Sequence, residues 1–272
     1  MTLTGGITFT TTNSNILFSS TVDSDATSAR AITTSVGTGN TTFTGAVGGS
    51  RGLGAISLTG TGTTTFSAAV TAASLVQNST TGTTAINGGS ISTTGAQTYG
   101  NAVTLGANAT LASSSSGNIA FSSTINGGYS LTVNTSGATT FGGIVGATTN
   151  LTSITTDAGG TVSISGNITT SGAQTYNEAA TLTAAATLSA SSITTGSTFN
   201  ASTFGFTLTT DAIALGGNLS GSGALVIQPK TAGTTIGMGS SITSTSCGGA
   251  VCALNFTDTE LGYINQTFSG IT

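Results

Sequence analysis

Apolar residues along this chain come in short alternations, among them Ile119-Ala120-Phe121, Leu131-Thr132-Val133, Val162-Ser163-Ile164, Phe206-Thr207-Leu208 and Ala212-Ile213-Ala214-Leu215. Alternation with a period of two predicts strands of only a few residues each, and no long segment carries a helical period. A second pattern links the strands: an aromatic residue, three small or polar residues, then a β-branched one. It occurs at Phe18/Val22, Phe43/Val47, Phe66/Val70, Tyr99/Val103, Phe121/Ile125 and Phe141/Val145. In a continuous strand the residue midway would face the same side as both ends. That place holds Ser20, Gly45, Ala68, Asn101, Ser123 and Gly143, so the pattern predicts a corner between two short strands.

A longer repeat encloses these corners. Gly95-Ala96-Gln97-Thr98-Tyr99 returns 77 residues later as Gly172-Ala173-Gln174-Thr175-Tyr176, and Ile91/Ile168, Leu105/Leu182 and Leu111/Leu188 keep the same offset. Phe43/Phe121 and Phe66/Phe141 follow at nearly that offset. Short strands with Gly and Asn at corners fit either an array of β-sandwiches or a parallel β-solenoid. A 77-residue unit is short for a sandwich and divides into about four coils of ~19 residues, which favours the solenoid. The prediction is an all-β parallel β-helix of about 14 coils, each hydrogen-bonded to the next at ~4.8 Å, forming a rod some 65 Å long. Phe43, Phe66, Tyr99, Phe121 and Phe141 are its expected core anchors. Residues 1–240 read as the repeats and 241–272 as the last coils of the same solenoid. Within the latter, Thr257-Asp258-Thr259-Glu260 has the form of a capping box, followed by Leu261 and Ile264 at helical spacing. This predicts a turn or two of helix capping the final coil.

Composition narrows the function. Thr (62), Gly (41) and Ser (37) make up just over half of the 272 residues, yet the mean hydropathy is +0.31 and the net charge only −4, which marks a folded chain and not a disordered one. Stacked coils tolerate this composition, because outward positions need β-formers such as Thr and no charge. Ten residues are charged, three of them basic (Arg30, Arg51, Lys230), and neither His nor Trp occurs. The commonest general base and metal ligand is thus absent, and three scattered cations cannot neutralise a row of phosphates. These facts argue against an enzyme, a cofactor and a nucleic-acid partner. No apolar run approaches 18 residues, which argues against a membrane span. Residues 1–5 lack the form of a signal peptide, so the chain reads as a cytosolic whole or as a piece of something longer.

Three strings carry a resemblance: TTGAQTYGNAVTLGANATL (93–111), SLTVNTSGATTFGGIVGATTNLTSITTDAGGT (130–161) and ITTSGAQTYNEAATL (168–182). They resemble the repeat region of large bacterial filamentous-haemagglutinin-like exoproteins. LVIQPKTAGTTIGMG (225–239) and LNFTDTELGYINQTFSGIT (254–272) resemble the segments that close such repeat blocks. The resemblance spans most of the chain from about residue 40. It implies a right-handed parallel β-helix, exported by a two-partner route and displayed on, or released from, the outer cell surface as an adhesin. Host-cell, glycan or bacterial surfaces are the implied partners, and end-to-end self-association is the alternative. The secretion domain expected of such proteins has no counterpart here, so the chain reads as a segment of a longer exported parent.

The remaining candidates are few. Cys247 and Cys252 lack the further ligands of a zinc site and read as a small disulfide loop or as two free thiols. Asp23-Ser24-Asp25 offers two carboxylates for calcium or, more plainly, a solvated turn. Asp157 and Glu178 lie 21 residues apart, close to one coil, and are expected to stack in neighbouring rungs without a basic partner. Thr-x-Thr pairs at Thr8/Thr10, Thr42/Thr44, Thr61/Thr63, Thr181/Thr183 and Thr207/Thr209 suggest an ice-binding face, but their intervals are irregular.

Overall fold

The computed structural model describes residues 1–239 and 254–272. Among the described residues strand accounts for 51% and helix for 2%, and every strand pairing is parallel, which makes the molecule a β-solenoid. One coil illustrates the path. The chain crosses a first face at Gln97–Tyr99, a second at Ala102–Leu105 and a third at Ala109–Ser113, then regains the first at Ile119–Phe121, one rung along. Inward and outward residues alternate on each face. The inward ones form ladders such as Ile32, Ile56 and Leu75, all fully buried.

The corner pattern is realised as the sequence predicts. Ser20, Gly45, Ala68, Asn101, Ser123 and Gly143 each sit at a bend, while the aromatic and β-branched residues on either side are buried. Small residues are required there because corners stack: a Cβ on Gly45 would come within 2.6 Å of the Ser20 carbonyl carbon, and one on Gly143 within 2.5 Å of that of Ser123. The aromatic rings stack in parallel, with centroids 4.6 Å apart for Phe18 and Phe43, 5.3 Å for Phe43 and Phe66, 5.1 Å for Tyr99 and Phe121, and 5.8 Å for Phe121 and Phe141. Such spacings, set by the strand separation, place each ring within contact of the next.

These rings form two ladders on different faces. Phe18, Phe43 and Phe66 belong to the second face, and their register continues through Ile86 to Leu105. Tyr99, Phe121 and Phe141 belong to the first, and their register continues the other way through Gln77 to Leu58. The 77-residue offset therefore does not equal a whole number of coils. Ile91 and Leu111 lie on the third face and Ile168 and Leu188 on the second, while Leu105 is on the second and Leu182 on the first. Each repeat thus falls one face short of closing its fourth coil.

That shortfall corrects the expected coil. Along the first-face ladder, successive partners are separated by as much as 25 residues (Ile7 to Ile32) and as little as 18 (Val162 to Ala180), so the solenoid has about 12 coils and not 14, and a length of about 55 Å. Corners of variable length absorb the difference without disturbing register. Several strands are also longer than the alternations predict: Val70–Gln77, Ala186–Thr195 and Phe206–Leu215 run through a corner unbroken. In the last, the linking Thr209-Thr210-Asp211 contains no glycine to break the strand.

Two side-chain devices hold the corners. Asparagine amides reach one rung along: Asn40 Oδ1 accepts from Thr63 N at 2.7 Å, Asn118 Oδ1 from Ala138 N at 2.9 Å and Asn167 Oδ1 from Thr187 N at 2.8 Å. Gln97, fully buried, donates through Nε2 to the carbonyls of Ile91 (3.2 Å) and Ala112 (2.9 Å), and its Oε1 accepts from Tyr99 OH at 2.9 Å. Both satisfy backbone or phenolic groups that would otherwise be orphaned where the ladder breaks.

Near the far end, the helix Asp258–Tyr263 begins with the capping box that the sequence announces. Glu260 N donates to Thr257 Oγ1 at 3.2 Å, and Thr257 N donates to Glu260 Oε2 at 2.9 Å. The helix packs beside the strands Phe206–Leu215 and Leu254–Phe256. The chain then returns to the rod, where Leu219 bridges Ile264 and Ala224–Leu225 pairs with Gly270–Ile271.

Candidate functional site

The outward faces carry hydroxyls in register. On the third face, Thr110, Thr132, Thr155, Thr175 and Thr194 follow one another across five rungs, a column spaced by the strand separation. Sequence reasoning missed it because coils of unequal length hide the period. The Thr-x-Thr pairs, in contrast, do not join into one lattice: Thr8 and Thr181 lie on the first face, and Thr42 and Thr207 on the second.

Asp23 and Asp25 are engaged by the protein itself. Asp23 Oδ1 accepts from Ser50 N at 2.8 Å and Arg51 N at 3.3 Å, tying the first corner to the next coil. Asp25 pairs with Arg30 at 2.7 Å and accepts from Thr27 and Ser28, and the guanidinium beside it holds its carboxyl well below the usual range. With Asp23 Oδ1 and both Asp25 oxygens committed in this way, the pair behaves as a structured turn.

Asp157 and Glu178 do stack in neighbouring coils, one rung apart beside the Thr156/Tyr176 pair. Glu178 is 3% exposed, and neither of its carboxyl oxygens has a hydrogen-bond partner; nor does the buried Oδ1 of Asp157. Burial, then the neighbouring Asp157 charge, push the Glu178 carboxyl up to about 8. Lys230, distant in sequence, instead donates from Nζ to the carbonyls of Thr170 (2.8 Å) and Ser171 (3.3 Å). Tyr99 and Tyr176 are held protonated by complete burial.

All five anchors, Phe43, Phe66, Tyr99, Phe121 and Phe141, are no more than 1% exposed. Cys247 and Cys252 lie outside the described residues. Among the described residues no cluster of three His, Cys, Asp or Glu side chains could hold a metal, and no helix is long and apolar enough to cross a membrane. An open apolar groove of about 300 Å³ lies at the C-terminal end, lined by Ile227, Ile236, Met238, Phe256, Leu261 and Ile264. Compared with known protein families, curated proteins and solved structures, the chain matches none.

Proposed function

We propose that this chain is a structural and adhesive segment of a large bacterial surface or secreted exoprotein, a stiff stalk that carries contact surfaces away from the cell. The observation that carries this reading is the pairing of a continuous, mainly apolar interior with outward faces of aligned, uncharged hydroxyls, as in the Thr110 to Thr194 column. A rod of this kind gains its cohesion from backbone ladders and inward packing, which leaves its exterior free for contact. Hydroxyl and amide groups in such rows suit glycans and other neutral polar surfaces. The resemblance to filamentous-haemagglutinin-like repeats points the same way and adds the expectation of export.

The test is adhesion. Beads coated with the chain should bind glycan-bearing cell surfaces, and replacing Thr132, Thr155 and Thr175 together by Val should weaken that binding while the fold persists. Unchanged binding in the triple variant would remove the third face from the reading.

A second reading, a self-assembling filament or matrix, is favoured by the ends. Leu17 is 64% exposed at one end and Met238 66% at the other, and among the described residues the strands that carry them each pair on one side only. Unpaired edges beside exposed apolar side chains favour stacking. Fibres that lengthen with concentration would support this reading over that of a solitary stalk.

A further inference from the structure

We propose that Asp157 and Glu178 share a single proton across two adjacent coils, and that this proton clamps the coils together at and below neutral pH and is released on the alkaline side. Hydrogen-bond capacity is short at this pair. Two ionised carboxylates are acceptors only, yet three of the four oxygens in the pair are buried without any donor. One proton resolves the shortage: Glu178, as the carboxylic acid, donates its O–H to the Asp157 carboxylate, and the remaining negative charge stays on the more exposed Asp157.

Among the described residues, the neighbouring coils supply no competing charge. From the coil on one side, residues 151–164, Asp157 is the only titratable group; from the coil on the other, residues 191–201, there is none. On the same turn Tyr176 is the only other titratable side chain, and its hydroxyl donates to Gln174 Oε1 at 3.1 Å. Lys230 stays at the carbonyls of Thr170 and Ser171, at the opposite end of that strand. Asn177, next to Glu178, spends its amide on Thr156 O at 2.7 Å.

The sign follows from linkage. The folded chain holds a proton to about pH 8 at a group whose ordinary value is 4.5. Between those limits it binds more protons than the unfolded chain, so stability is full below about 4.5, declines as pH rises, and has lost this contribution above about 8. Deprotonation leaves two carboxylates facing each other inside the rod, and the local rungs loosen.

The chain contains only two glutamates, Glu178 and Glu260, which makes the test direct. With glutamate labelled at the side-chain carboxyl carbon, NMR should show one of two resonances titrating near pH 8, and the Glu178→Gln variant should remove it. The wild-type melting temperature should fall by several degrees between pH 5 and 8.5. Glu178→Gln, whose amide donates permanently to Asp157, should flatten that dependence. Asp157→Asn should move the remaining Glu178 titration toward the ordinary range. The wild-type titration needs no variant to fold. Titration of both glutamates in the ordinary range would overturn the proposal. So would the appearance of both glutamates as ionised at pH 7 on adding millimolar calcium, because the pair would then be a cation site and not a proton clamp.

Discussion

Gln97 and Gln174 make the same hydrogen bonds at two different corners of the solenoid. Gln97, on the first face, holds carbonyls of third-face strands; Gln174, on the third, holds those of Ile168 and Ser189 on the second, at 3.0 Å each, and accepts from Tyr176 OH. The motif Gly-Ala-Gln-Thr-Tyr is therefore a portable corner clamp, indifferent to which corner it closes. Replacing either glutamine by Leu should orphan two carbonyls and a tyrosine hydroxyl, at a cost of about 2–4 kcal/mol. The two sites are several rungs apart, so their costs should add to within about 0.5 kcal/mol in the double variant. Chemical denaturation of the four proteins checks both points.

The aromatic ladder makes a sharper demand. Phe121 lies between Tyr99 and Phe141 and is 1% exposed. Phe121→Ala should cost about 3–5 kcal/mol through lost burial and the cavity between two rings. Phe121→Asp should cost more, since the charge has no partner there. A variant melting at the wild-type temperature would refute the inward placement.

Most of the fold was legible because corners are written locally. Phe121, Ser123 and Ile125 announce their bend in five residues, and all six instances of the pattern hold. The coil length was not legible, because it depends on how far a corner such as 146–150 loops out before rejoining its ladder. The same variation hid the threonine column and turned an apparent four-coil repeat into one that stops a face early. Of the candidate chemistry, the stacking of Asp157 on Glu178 followed from spacing alone, whereas the burial of Glu178 did not: its inward direction depends on the register of Tyr176, which only the folded rung fixes.

Acid should act on the N-terminal end of the rod. Asp25 is held below its ordinary value by Arg30 and by donors at Thr27 and Ser28. A carboxyl lowered in this way contributes stability above its unfolded value near 3.8, and that contribution fades as pH falls below it. Hydrogen exchange of the amides at Thr27 and Ser28 should therefore accelerate, after correction for intrinsic rates, on acidification from pH 5 to 2.5. Arg30→Ala should bring that loss to higher pH.

Shape provides the broadest check. Small-angle scattering across a concentration series should return a rod with a core of about 55 Å. Constant length supports the stalk reading and growing length the filament reading, while a compact globule would contradict the stacked coils themselves.

The parallel stacking of rungs also determines how the molecule bears load. Its backbone bonds run along the rod axis, so axial tension passes through each junction between coils in series, and the junction with the fewest bonds gives way first. At the second face, the coil carrying Val145 is joined to its neighbours only by single bridges to Ile125 and Ile168. Under tension the rod should extend by peeling one loop at a time, starting at such single-bridge rungs, of which Val47, held on the third face only by Val22 and Val70, is another.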